Sequence, residues 1–126
     1  MKTKVLTLLL LIFLAAFPVM AQTQSHYVTL TWTDTANPTG TQYNVYRLTG
    51  TCPVTPPTLS SLEGFTVLNA TPLTVLTYKD SAVTGGTSYC YFTTAVSGTN
   101  QSAPSNTVPG TVPTLFAPFI QVTVSQ

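Results

Sequence analysis

Residues 77–96, TYKDSAVTGGTSYCYFTTAV, constrain this chain more than any other stretch. A strand ending at Tyr78 runs into a polar turn over residues 79–86, and a second, alternating strand starts at Tyr89. A corner of this kind ties one sheet of a β-sandwich to the other. A Tyr near the start of the second strand packs inward, and its hydroxyl returns to backbone just upstream. Tyr89 stands in that position, and Gly85-Gly86 supply the permissive turn before it. The alternation then turns Tyr89, Tyr91 and Thr93 inward and Cys90 and Phe92 outward. The feature specifies a fold and names no ligand.

The remaining chain has the same character. YVTLTWT (residues 27–33) places Val28, Leu30 and Trp32 on one face. QYNVYRL (residues 42–48) places Tyr43, Val45 and Arg47 on one side and Asn44 and Tyr46 on the other. Short strands are expected at 65–68, 73–78 and 89–96, and a last one within 104–113 whose prolines suit an edge. Residues 34–41 read as a turn cluster, 49–64 as a long Pro/Thr/Ser-rich connection, and 97–103 as a hairpin-type loop. Helical periodicity is absent, so the pattern predicts an all-β, antiparallel β-sandwich.

The first 21 residues read as a secretory signal. Lys2 and Lys4 precede an apolar run of about 13 residues, followed by Val19-Met20-Ala21 as a small-residue cleavage site. That run is shorter than the roughly 20 residues of a membrane-spanning helix. Cleavage after Ala21 is expected, giving a secreted or cell-surface product (periplasmic or extracellular). No Cys follows the site, which argues against a lipid-anchored form. Removing 21 of the 126 residues leaves 105, enough for one domain with a modest core. Arg47 and Lys79 then face Asp34, Glu63 and Asp80, a net charge of −1 with His26 neutral. A balance this close to zero does not draw nucleic acid or an anionic membrane. Cys52 and Cys90 are the two cysteines, and in an exported chain such a pair is read most simply as a disulfide. Closing that loop is worth roughly 4 kcal/mol in the chain-entropy model.

VTLTWT, YNVYR, YKDSAVTGGTSYCYFTTAV and SAPSNTVPGTVP, taken in order, resemble the successive strands of a fibronectin type III domain of the bacterial secreted kind. The resemblance covers about residues 26–113. It rests on Trp32 in the second strand, Tyr43-x-Val45 in the third and Tyr89 in the sixth. It implies an immunoglobulin-like sandwich over residues 22–113, with Trp32 and Tyr89 in its core, and no shared active site. The Arg-Gly-Asp integrin motif of some members is absent. Two departures stand out. The family has a full first strand before the Trp strand, and here only residues 22–25 remain for it. Beyond Pro113 a strand-prone extension, residues 114–126, carries Ile120, Val122 and Val124 on one face.

Chemistry-bearing constellations are sparse. Asp34 and Asp80 read as turn residues that cap backbone N–H groups, and Glu63 lies in the Pro-rich connection, so no paired carboxylates are expected. His26 has no second ligand near it in sequence, and no cluster of oxygens suits calcium. Catalysis, a metal and a cofactor are therefore not expected. Asn69-Ala70-Thr71 and Asn100-Gln101-Ser102 match the glycosylation acceptor pattern. Tyr46 and Phe92, facing out beside Cys90, form a possible protein- or sugar-binding patch. A Cys52–Cys90 bridge would instead fold residues 49–64 over them, and the sequence favours that covered arrangement. A sandwich short of its first strand exposes an edge. The extension could close that edge in its own chain, cross to a neighbour as a donated strand, or hang as a tether. The sequence thus points to a non-catalytic interaction or adhesion module, whose partner is a protein or an extracellular polymer. The alternatives are a structural subunit assembling through residues 114–126 and, more weakly, a carbohydrate-binding module.

Overall fold

The computed structural model describes residues 25–62 and 64–115. The expected signal segment, Glu63 and the extension beyond Leu115 lie outside the described residues. The chain is all-β among these residues, with strands β1 (Val28–Thr31), β2 (Gln42–Thr49), β3 (Thr66–Val67), β4 (Thr77–Asp80), β5 (Ser88–Ser97), β6 (Asn100–Gln101) and β7 (Val108–Thr111). One sheet is β1 paired with β4. The other runs β3-β2-β5-β6, with β7 also on β5. Every strand pairing is antiparallel.

The two sheets pack face to face through the residues the alternation turned inward. Tyr89, Tyr91 and Val112 form the buried centre, with Val28, Leu30, Leu68 and Val83 against it. Val45 is fully buried, and Trp32 meets Tyr43 edge-on with ring centroids 5.6 Å apart. Tyr89 accepts the Thr84 N–H at 2.9 Å, the backward bond of a tyrosine corner. Gly86, at φ +78°, makes the turn that permits it, where a side chain would be strained.

Charge also links the sheets. Arg47 of β2 donates to Asp80 of β4 at 2.8 Å, and the Asp80 carboxylate also accepts from the Tyr91 hydroxyl at 3.1 Å and the Ala82 N–H. The Arg47 guanidinium lies over the Tyr89 ring. Asp80 caps a backbone N–H, that of Ala82, as the sequence suggested, but it is a buried strand residue and not part of the polar turn. β4 continues past Tyr78 to Asp80, and period-2 alternation carries Asp80 inward, where it is 2% exposed. The expected strand at 73–78 shifts for the same reason. Leu73 makes only a bridge to Tyr43, and residues 74–76 bend before β4 begins.

Cys52 and Cys90 form a disulfide with Cα atoms 5.0 Å apart. It ties the connection after β2 to the outer face of the larger sheet at Cys90, with Pro53, Pro56 and Pro57 sharing a cleft with Phe65. On that face Phe92 stacks on Tyr46 at 4.6 Å and meets Phe65 edge-on at 4.8 Å. Cys90, Phe92 and Tyr46 are 0%, 2% and 8% exposed. β5 is thus buried on both faces along Tyr89–Phe92. The outward aromatic patch at Tyr46 and Phe92 does not exist as a surface, because Phe65 packs on Phe92, Gln101 donates to the Tyr46 hydroxyl and both rings are buried.

The loop after β5 is a two-residue turn, Gly98-Thr99, with Gly98 at φ +59° and Thr99 at negative φ, as a type II′ hairpin requires. Between β6 and β7 backbone and side chain share the contacts to β5: the Ser102 and Ser105 N–H groups donate to the Ala95 and Thr93 carbonyls. Ser102 Oγ accepts the Ala95 N–H and Ser105 Oγ the Thr93 N–H, bridging the stretch where Pro104 has no N–H to offer.

The bridge carries a measurable load. Cys52→Ser with Cys90→Ser is expected to lower unfolding free energy by about 2–5 kcal/mol, read by urea titration. It should also raise tyrosine accessibility as the connection after β2 lifts from the sheet. Unchanged stability would mean that packing alone holds the connection down.

Candidate functional site

The candidate site is the outer edge of β1, one of several strand edges without a partner strand among the described residues and the one that borders a row of clefts. β1 pairs with β4 on one side and, among the described residues, with no strand on the other. Trp32 donates its N–H to the Leu76 carbonyl at 3.1 Å, so it faces β4. Antiparallel alternation then turns the N–H and C=O of Thr31 and Thr29 away from β4, toward the free edge.

Along that edge three clefts follow one another. The lowest lies between residues 26–28 and 111–113. The middle one, about 260 Å³, lies between residues 30–33 and the segment leading into β7, over a floor of Tyr91, Phe92 and Thr93. The uppermost adjoins Trp32, Asp34, Tyr43 and Ser102. The groove therefore runs the length of β1. Its far wall carries Val108, half exposed, and Pro109, the β7 residue whose ring leaves no N–H for a further strand. Trp32 is half-buried in the wall, and its indole Nε1–H, shielded from water, has no hydrogen-bond partner among the described residues.

Asp34 closes the upper end. It caps the Ala36 and Asn37 N–H groups and accepts from Asn37 Nδ2 and, at 2.7 Å, from the Tyr43 hydroxyl. The Tyr43 hydrogen bond and then those from Asn37 lower its carboxyl to about 2. The same contact raises the Tyr43 hydroxyl above its ordinary value. At the opposite end of β1, burial and then the Asp80 charge push the Tyr91 hydroxyl up.

The remaining sequence candidates are dispersed. Asp80 lies beside Val28 and Asp34 beyond Trp32, at opposite ends of β1, so these carboxylates do not face one cleft. No group of three His, Cys, Asp or Glu residues gathers for a metal among the described residues. Asn69 is buried and acts as a structural plug. Its side chain accepts the Val45 N–H and donates to Tyr43 O, Asn44 Oδ1 and Thr71 O, so the folded chain holds this acceptor amide inside. Asn100 is exposed in β6.

Three features escaped sequence reasoning: the Arg47–Asp80 pair, the Asn69 plug and the groove. The first had a signal, because an Arg on the inward side of an alternating strand demands a carboxylate. The groove had only the shortness of the segment before β1. The disulfide is consistent with an oxidising, extracellular environment. No described helix is long and apolar enough to cross a membrane. Comparison with protein-family models and with curated proteins returns no match.

The acid limb of stability should report the Asp34 cap. Its folded-state pKa lies below the ordinary value of 3.8, so its contribution is present above about pH 4 and is lost as pH falls toward 2. Urea titrations from pH 5 to pH 2 are expected to show a shallower decline in Asp34→Asn than in the parent. Parallel curves would exclude the cap as a source of stability.

Proposed function

We propose that the chain is an exported, non-catalytic interaction module of fibronectin type III type, which recognises its partner by adding an extended strand to the open edge of β1. The observation that carries this reading is the edge unpaired among the described residues, with outward backbone groups at Thr29 and Thr31 beside an uncharged groove of mixed apolar and hydroxyl lining. Main-chain bonds to the edge would give affinity, and the groove would select alternate apolar side chains. The family assignment draws on the order of the strands and on the Tyr89–Thr84 hydrogen bond. The missing first strand of that family would lie along this same edge. A structural subunit that assembles by strand donation uses the same groove and is the second reading. The carbohydrate-binding reading through Tyr46 and Phe92 is withdrawn, because both rings are buried.

Panning a random peptide library on the immobilised chain tests the recognition mode. Enriched peptides should alternate apolar and polar residues, and their binding should fall at least about tenfold in Thr31→Pro, which removes an outward N–H while leaving the β4 ladder intact. Enrichment that ignores Thr31→Pro, or none at all, would sink the β1-edge reading.

A further inference from the structure

We propose that the occupant of the β1 groove is residues 119–124, FIQVTV, of a second copy of this chain, so that copies join head to tail. The inference rests on β1 being a strand acceptor, as argued above. Four observations select this occupant.

The first is pattern. In FIQVTV, Ile120, Val122 and Val124 share one face and Phe119, Gln121 and Thr123 the other. The groove needs such a strand: apolar toward Leu30, Tyr91 and Val108, and free to be mixed on its outer side. The second is length. Six extended residues span about 20 Å, the reach of residues 28–33 along which the groove runs. The third is charge. Residues 114–126 contain no charged side chain, and neither does the lining of the middle cleft, so docking buries no unpaired ion.

The fourth is direction, and it separates a neighbour's strand from the chain's own. The described chain leaves the sandwich at the foot of the groove, where the Pro113 carbonyl and the His26 ring both lie beside Gly85. From there a chain's own segment enters in the direction of β1 and pairs with it in parallel. To run antiparallel it would first have to climb the length of β1 and turn back. Residues 114–118 span at most about 17 Å and cannot do both. Its other neighbour would be β7, whose outward side at Pro109 lacks a donor. A second copy is under no such restriction and can enter from the top, antiparallel to β1, the arrangement of every strand pair in this fold. Donor and acceptor are different surfaces, so the contact is heterologous and propagates as an open chain or a ring.

The decisive experiment is light-scattering mass from micromolar to millimolar concentration on the chain from Gln22 to Gln126, which contains the whole described fold. Two variants accompany it: donor-dead Val122→Asp and acceptor-dead Thr31→Pro. Val108→Asp, on the groove's exposed wall, replaces Thr31→Pro should the latter lose its near-UV signal. The parent is expected to grow with concentration to at least about three times the monomer mass. Each variant alone should stay monomeric, and an equal mixture of the two should stop at a dimer, because it has one working donor and one working acceptor. A parent that is monomeric throughout overturns the proposal. If peptides still bind such a parent in a Thr31-dependent way, the acceptor reading stands and only self-donation fails. If Val122→Asp instead lowers the urea midpoint without changing mass, the segment closes its own sandwich and the proposal is likewise overturned.

Discussion

The Cys52–Cys90 disulfide is the constraint on which the arrangement of this molecule turns. A sheet in a two-layer sandwich has one buried face and one wet face, and β5 by its alternation would place Cys90 and Phe92 in water. The bridge pins the connection after β2 to that wet face at Cys90. There the stacked pair of Tyr46 and Phe92, with Phe65 edge-on, makes a small second core. Pairs of this kind contribute about 0.5–1.5 kcal/mol each beyond their buried area. The bridge also removes conformational freedom from the unfolded chain, so its effect on the balance acts from both states.

On the other face of β5 the sheets are joined by packing and by one partly buried ion pair. Arg47 and Asp80 come from opposite sheets, and Tyr91 supplies the second hydrogen bond to the carboxylate. A buried pair of this kind adds little net stability over apolar packing, yet losing one partner leaves an uncompensated charge. Its consequence here is register: Asp80 reaches Arg47 only if β4 stands opposite β1 as it does, with Val28 across from Asp80. Asn69 acts similarly on β2, tying three residues of backbone and side chain to one amide.

These fixings concentrate at the β2–β5 centre and leave β1 as an edge strand. Among the described residues it has one neighbour, β4, and a groove along its outer side. An edge with unpaired donors and acceptors is a template for another strand. Among the described residues no proline or charged side chain of β1 itself blunts this edge: Thr29 and Thr31 are exposed, Lys79 stands across from Thr29 on β4, and Asp34 lies beyond the end of the strand. β7 is treated differently, with Pro109 removing a donor. Among the described residues the β7 edge is blunted by a proline and the β1 edge is not, which is the physical basis for proposing β1 as a recognition edge.

Much of this was legible in the chain, because alternation, turn residues and cysteine count are local signals. They determined the all-β class, the inward faces of β2 and β5, the corner at Tyr89 and the pairing of two lone cysteines. The boundaries moved where a local signal met a distant partner. Lys79 and Asp80 look like turn residues in isolation, and only Arg47, 33 positions away, makes Asp80 part of a strand. Tyr46 and Phe92 look like a binding patch until Phe65 and Gln101 are laid against them. Asn69 looks like a surface acceptor until β2 closes around it. The sequence by itself determined which way each strand faces, since side-chain direction follows from the period of two. Only the tertiary structure decided which faces and edges remain exposed, since that depends on what the rest of the chain lays against them.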